Sequence, residues 1–309
     1  MEDSSLLLVG VGGLGCAWAK RAHSRCQKKI DLLLVDSDPE GLESETQSHV
    51  LQLGSKIDSS GCAGLPQLGE QRMRALSNLA ARVLEPVELV ILLTALGGGS
   101  GSGAAPEMAR QAKRRGAMVI SVAAFPFDAQ PNRRAVADHS IESLEKNSDV
   151  CVRLSLDRLA WQARERGVDW RLGAAWIEEF VEGIVATISR MGLINLDLMD
   201  LRSIVAKGGS STLLVAEGNP EKPMMLFQEA LDAPLYDVNI TGARGCLIQV
   251  EGGTGMTIHQ LNAVADAFTA GIHKDAQVIL GARTTPDLEG KIRVVAIVSG
   301  VGIPGMRNY

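Results

Sequence analysis

Short, wholly apolar runs that stop at glycines or carboxylates recur through the first half of the chain. Leu6-Leu-Leu-Val-Gly-Val11 predicts a strand buried on both faces, and it passes through Gly12-Gly-Leu-Gly15 into a helix over 17–25. Leu32-Leu-Leu-Val35 predicts the next strand, closed by Asp36-Ser-Asp38. Residues 51–57 make a weaker strand, 87–94 and 118–124 two fully apolar ones, and 150–154 the strand that closes the sheet. Amphipathic helices are predicted over 70–84 and 106–115, and another carries Arg133 and Arg134. Strands alternating with helices and short loops specify a doubly wound α/β domain on a parallel sheet.

The pattern then changes. Trp176, Ile177, Phe180, Val181, Ile184, Val185 and Ile188 give a stripe two residues wide per turn, which predicts a long helix buried between two bodies. Directly after it, Asn195, Asp197 and Asp200 alternate with leucines and put three polar groups on one side of a loop and helix start. Helix capping would need one carboxylate, not three polar groups. Strands over 211–217, 246–250, 276–280 and 292–299, with helices over 224–231 and 258–272, predict a smaller α+β domain. Gly252-Gly-Thr-Gly255 reads as a turn before the second of these helices, and 302–309 as a frayed end. The resulting division is 1–173 for the first domain, 174–202 for the central helix and polar loop, and 203–309 for the C-terminal domain.

Composition narrows the options. A 309-residue chain with 46% hydrophobic and 22% charged residues can bury two cores, and a net charge of −5 argues against a general nucleic-acid surface. The five cysteines form no C-x-x-C pair, and the five histidines have no ligand spacing, so a cytoplasmic protein without a structural metal is expected. No apolar run reaches membrane-spanning length, and direct membrane insertion is not expected.

The candidate chemistry lies in the glycines. Gly97-Gly-Gly-Ser-Gly-Ser-Gly103 stands between a buried strand and an amphipathic helix, a setting that a flexible linker would not share. Five of the seven residues have no Cβ, so the backbone is expected to take positive φ and present successive N–H groups to an anion. Ser100 and Ser102 would add hydroxyl donors, and the helix opening near Ala104 and Pro106 would aim its dipole at the same point. Gly10-Val-Gly-Gly-Leu-Gly15 and Gly61-Cys-Ala-Gly64 make two further glycine turns. Asp36 and Asp38 follow a strand at the sheet edge where ligands bind, and they could meet a ribose, a hydrated Mg²⁺ or a loop amide. Arg133 or Arg134 could reach a phosphate.

Gly97–Gly103 with its following Ala104-Ala-Pro106, the Asn195-Leu-Asp197-Leu-Met-Asp200 stretch, and Ile240-Thr-Gly-Ala-Arg-Gly245 together resemble the FtsZ/tubulin family of polymerising GTPases, with the bacterial FtsZ branch looking most similar. The first glycine turn and Val35-Asp-Ser-Asp38 also look like the adenylating domains of ubiquitin-activating enzymes. That likeness gives no account of the other two motifs.

The FtsZ resemblance implies GTP or GDP, with Mg²⁺, over the C-terminal edge of the sheet. The implied nucleotide-binding set is Gly10, Gly12, Gly13, Gly15, Asp38, Gly61, Gly64, Gly97, Gly98, Gly99, Ser100, Gly101, Ser102, Gly103, Gln130 and Arg134. It also implies a head-to-tail homopolymer in which Asn195, Asp197 and Asp200 of one subunit complete the hydrolytic site of the next, and cytoskeletal or division partners. The disordered tail that division-ring members carry is not among these 309 residues.

Several positions depart from the family pattern. Leu156, ahead of Asp157-Arg158-Leu159, stands where the family has a guanine-reading asparagine. A second base-reading position falls at Ala174 or Ala175, the aromatic cover of the base at Trp170, an acidic ribose ligand at Gln130, and an often acidic position at Leu65. Cys16 and Ala17 stand where the first glycine turn would continue with asparagine. Each lost partner weakens discrimination by a factor on the order of ten. The alternative expectation is therefore a non-catalytic FtsZ-like scaffold that has lost guanine recognition.

Overall fold

A computed structural model describes residues 5–26, 30–43, 48–54, 62–85, 87–165, 167–171, 176–189, 193–194, 196–206, 210–232, 235 and 239–301. The chain divides into two compact units, residues 1–182 and 183–309, with the division inside the long apolar helix.

Unit 1 is built on a six-stranded parallel sheet: β1 (Leu6–Val11), β2 (Asp31–Asp36), β3 (His49–Gln52), β4 (Leu89–Ala95), β5 (Met118–Phe125) and β6 (Val150–Ser155), in the order β3-β2-β1-β4-β5-β6. The order reverses between β1 and β4, and a crevice opens at the carboxyl ends of that pair. Every residue of β1 and β5 is buried, as their unbroken apolar runs require. The connecting helices are α1 (Gly12–Arg25), α2 (Pro39–Leu42), α3 (Pro66–Ala75), α4 (Ser77–Leu84), α5 (Ala105–Arg114), α6 (Pro131–Lys146) and α7 (Leu156–Glu165). The apolar stripe from Trp176 forms α8 (Trp176–Ser189).

Three elements differ from the pattern-based reading. The first helix begins at Gly12 rather than residue 17, so the glycines form its opening turn. The helix expected over 70–84 is broken at Leu76 into α3 and α4, with no glycine or proline to mark the break. The third strand is shorter and earlier than 51–57.

Unit 2 carries α9 (Leu198–Val205), β7 (Ser210–Gly218), α10 (Pro223–Leu231), β8 (Gly245–Gly252), α11 (Ile258–Thr269), β9 (Gln277–Thr284) and β10 (Ile292–Val301), with the sheet ordered β7-β10-β8-β9. Only β8 and β9 run parallel. A charge ladder crosses all four strands in register: Glu217, Arg293, Glu251 and Arg283 are directly opposed neighbours, and each adjacent pair forms an ion pair. Gly252–Gly255 is the expected turn, followed by a capping box between Thr257 and Gln260. Among the described residues, no helix is long and apolar enough to cross a membrane. Residues 302–309 lie outside the described set.

Candidate functional site

A cavity of about 600 Å³ opens at the carboxyl ends of β1 and β4. Its floor is the first turn of α1, through Gly12 and Gly13, and the segment Gly98, Gly99, Ser100 and Gly101 after β4. These two stretches touch: a Cβ on Gly12 would lie 3.3 Å from the Gly101 nitrogen. Neither start is capped by a side chain, at Val11 for α1 or at Gly99 for the following segment. Opening turns of helices leave N–H groups without intrahelical acceptors, and two such starts meeting at one cavity form an anion cradle.

The segment after β4 is not the open, positive-φ loop that its composition suggests. Gly97 alone there has positive φ, +95°, and Ser100–Ala104 form a π-helical turn that is almost wholly buried. Its glycines answer to close packing. A Cβ on Gly101 would lie 2.1 Å from the Ala95 carbonyl oxygen, and one on Gly103 would lie 1.9 Å from that of Pro66. Ser102 faces inward and its Oγ accepts the Gly97 N–H at 2.8 Å, which pins the turn. Gly97, Ser102 and Gly103 therefore shape the cradle without lining it.

The same division holds in the first turn. Gly10 and Gly15 seat α1 against its strands, since a Cβ on Gly15 would stand 2.4 Å from the Leu93 carbonyl oxygen. Cys16, just behind, is fully buried and its Sγ donates to the Gly10 carbonyl at 3.3 Å. Burial, and then the Asp36 charge, pushes its thiol up to about 12.

Of the two carboxylates at the end of β2 and just beyond it, the one at the cavity is Asp36, with 4% of its surface exposed. Its Oδ1 accepts the Ser37 N–H at 2.7 Å. Burial raises its pKa above the usual carboxylate range, against the hydrogen bonds from Ser37 and Ser100. Asp38 is exposed and caps the single turn of α2, accepting the Glu40 N–H at 3.1 Å. The arginines divide similarly: Arg133 lines the cavity, whereas Arg134 pairs with Asp128. Gln130 lines the cavity at the uncapped start of α6.

The remaining wall is apolar, with Leu14, Ala17, Phe127, Leu156 and Trp170. Phe127 and Trp170 meet edge to face with centroids 5.0 Å apart, and the Arg171 guanidinium lies 5.0 Å over the Trp170 ring. Trp18, buried in α1, donates its Nε1–H to the Arg171 carbonyl at 2.9 Å and so holds this corner in place. A flat aromatic face beside an N–H cradle suits a planar ring attached to phosphates. Pro126, Phe127 and Arg171 are absent from the sequence-derived site set, and Arg133, named there only as an alternative to Arg134, takes the place in the wall. The Phe125-Pro-Phe127 run at the end of β5 is the signal that could have found the first two.

In unit 2, Asp197 and Asp200 form a reciprocal capping box at the start of α9. Both carboxylates take part in capping, contrary to the expectation that one would suffice. Asp197 is exposed and Asp200 half-buried. Around them Leu193, Ile194 and Met199 are 69%, 45% and 70% exposed, an unusual density of large apolar side chains in water. Gly61, Ala174, Ala175 and Asn195 lie outside the described residues; Gly64 is described, in an exposed turn with φ +72°.

A family model described as the GTPase domain of the Tubulin/FtsZ family matches residues 5–162, and one for the FtsZ family C-terminal domain matches residues 209–302. Cell division protein FtsZ 1 of Archaeoglobus fulgidus is 32% identical, the match covering 98% of this chain and 84% of that protein. Cell division protein FtsZ 2 of Halobacterium salinarum is 31% identical over 97% of this chain and 77% of its own length. These relatives are archaeal, where the motifs alone suggested the bacterial branch. Among solved structures, an empty FtsZ dimer from M. jannaschii superposes with a TM-score of 0.83 at 25% identity, covering 98% of this chain and 89% of that one. CetZ2 from Haloferax volcanii, solved as a GTPγS-bound protofilament, shares the fold with a TM-score of 0.78 at 18% identity, covering 98% and 94%.

Proposed function

Because the chain belongs to the FtsZ/tubulin family, we propose that it binds a guanine nucleotide in the cavity of unit 1 and hydrolyses GTP between subunits stacked head to tail in a cytoplasmic filament. The observation that carries this reading is the meeting of two uncapped helical starts, at Gly12 and Gly99, in a cavity within the region matched by the GTPase-domain model. Phosphoryl transfer asks mostly for positioning and charge stabilisation, which backbone N–H groups and Arg133 can supply.

The second half of the hydrolytic site would come from the Asp197–Asp200 turn and Asn195 of the neighbouring subunit, orienting the attacking water. The exposed Leu193, Ile194 and Met199 beside those carboxylates support their use in a contact between copies. A heterologous contact of that kind, repeated without closure, yields a filament. Mg²⁺ fits this reading as the partner of the phosphates. Division or other cytoskeletal partners fit it too.

Leu156 favours a second reading, in which the fold persists as a scaffold without guanine recognition. It is 6% exposed and presents a hydrocarbon where the family has an amide. Heat-releasing bound nucleotide from the purified protein and chromatographing it separates the two. Guanine nucleotide near one per chain, with GTP-dependent sedimentation and turnover, supports the first reading. Nucleotide-free protein that sediments equally with and without GTP supports the second.

A further inference from the structure

The aromatic end of the cavity in unit 1 is nearly bare of groups that could tell one planar ring from another. Leu14, Ala17, Phe127 and Leu156 offer hydrocarbon, and Trp170 adds a single indole N–H. Residues 172–175, next along the chain, are Leu-Gly-Ala-Ala and bring no polar side chain. Walls of that kind hold a ring by its face, and every base has a face to offer. The side chain at that end with hydrogen-bonding capacity to spare is Arg171.

Its backbone is fixed on both sides. The N–H donates to Asp169 Oδ1 at 3.0 Å, and the carbonyl accepts the Trp18 Nε1–H at 2.9 Å. Trp18 is 1% exposed, so this anchor belongs to the core. The guanidinium, by contrast, lies 5.0 Å over the Trp170 ring with 66% of the side chain exposed. Its ion pair with Asp169 runs from Nη1 alone, at 3.4 Å, and leaves Nε and Nη2 without a partner among the described residues.

Those two nitrogens form one edge of a rigid planar fork, which suits a pair of acceptors lying side by side. Guanine presents such a pair in O6 and N7. Adenine keeps N7 but puts an amino donor where O6 stood, so one N–H of the fork would face another donor.

We propose that Arg171 reads the O6–N7 edge of guanine and sets the preference of this site for guanine over adenine nucleotides, where Leu156 offers only hydrocarbon. This rests on the reading of the cavity as a nucleotide site.

The test is equilibrium binding of GDP, IDP, 7-deaza-GDP and ADP to the full chain, to Arg171→Ala and to Arg171→Gln. The wild type is expected to bind GDP and IDP within about three-fold, 7-deaza-GDP about five-fold more weakly, and ADP about ten-fold or more weakly. Arg171→Ala should bring GDP and ADP within about three-fold of one another, mostly by losing GDP affinity. Arg171→Gln, whose amide pairs with the N6–N7 edge of adenine, should shift the ratio further toward ADP, and it gives the reading alone should the alanine variant not fold. Loss of GDP and ADP affinity by one common factor in the variants would make Arg171 a contact for phosphate or ribose and overturns the proposal while the nucleotide site stands. A wild type that binds GDP and ADP alike overturns it too, as does one that binds IDP far more weakly than GDP, because discrimination would then lie at the 2-amino edge. No binding of any of the four by any of the proteins overturns the nucleotide reading, and this proposal with it.

Discussion

Asp197 and Asp200 hold one another through the backbone: the carboxylate of Asp197 accepts the Asp200 N–H at 2.9 Å, and Asp200 Oδ2 accepts the Asp197 N–H at 3.0 Å. The same two groups that would position water for a neighbour thus also start α9. Asparagine can accept either bond, so Asp200→Asn separates the two jobs. It should leave the unfolding free energy within about 0.5 kcal/mol of wild type, whereas Asp200→Ala should cost about 1 kcal/mol through the lost cap. Both should lower GTP turnover by about 10²-fold or more. Unchanged turnover in Asp200→Asn, measured by phosphate release, would remove the carboxylate from the mechanism.

A site shared between subunits makes a second demand, on mixtures. Asp200→Asn supplies an intact cradle, and a cradle variant such as Arg133→Ala supplies an intact Asp197–Asp200 turn. Mixed in equal amounts, they should co-assemble so that about a quarter of the interfaces join two intact halves, and turnover should rise above that of either alone. Turnover that stays at the average of the two variants would place the whole site within one chain.

The glycines of the segment after β4 should separate sharply by substitution. Gly103→Ala would put a Cβ 1.9 Å from the Pro66 carbonyl oxygen, and Gly101→Ala one 2.1 Å from that of Ala95. Since backbone cannot yield as a side-chain tip can, each should destabilise unit 1 by about 1–3 kcal/mol or more. Gly98→Ala meets nothing within 4 Å and lines the cavity. It should unfold like wild type in urea and report only on ligand binding.

Much of this architecture was legible from the sequence because strands buried on both faces write themselves as unbroken apolar runs. Four of the six parallel strands, β1, β2, β4 and β5, and the place of the glycine motifs at their ends followed from that; β6 showed by its alternation, and β3, half exposed, was placed two residues late. What escaped was decided by tertiary contact. Five glycines in seven residues read as an open loop, yet the turn they form is helical and buried, because α3 and β4 press against it. Asp36 and Asp38 are two residues apart, but one ends β2 facing the cavity while the other begins α2. The Asp38-Pro39 pair, a cap followed by proline at the first helical position, was the available signal. Arg133 and Arg134 are likewise adjacent, and it is the fold that puts Arg133 in the cavity wall while Arg134 pairs with Asp128.

That pair gives a clear contrast in binding. Arg133 lines the cavity and, as a charged donor to phosphate or ribose, should be worth about 1.5–3 kcal/mol, so Arg133→Ala should weaken nucleotide affinity by about ten-fold or more. Arg134→Ala loses a surface pair with Asp128 and should change affinity by less than about five-fold. The reverse order in isothermal titration would return Arg134 to the site and take Arg133 out.

Acid sensitivity of unit 1 should trace to Glu107, behind the cradle. This α5 side chain is 3% exposed and receives hydrogen bonds from Gln111 Nε2 at 2.8 Å and Arg110 Nε at 2.7 Å. Burial alone would raise its pKa, but the bonds from Arg110 and Gln111 and the charges of Arg110 and Arg74 outweigh it, and the net shift is downward. A carboxyl held lower in the folded than in the unfolded chain binds fewer protons when folded. Its stabilisation is complete above the ordinary glutamate pKa and is lost as pH falls through the depressed folded value. Glu107→Gln should therefore cost about 1–3 kcal/mol at pH 7, and the gap to wild type should close as pH is lowered from about 5 toward 3. A gap between the two urea-unfolding curves that stays constant across that range would show that Glu107 contributes through packing rather than charge.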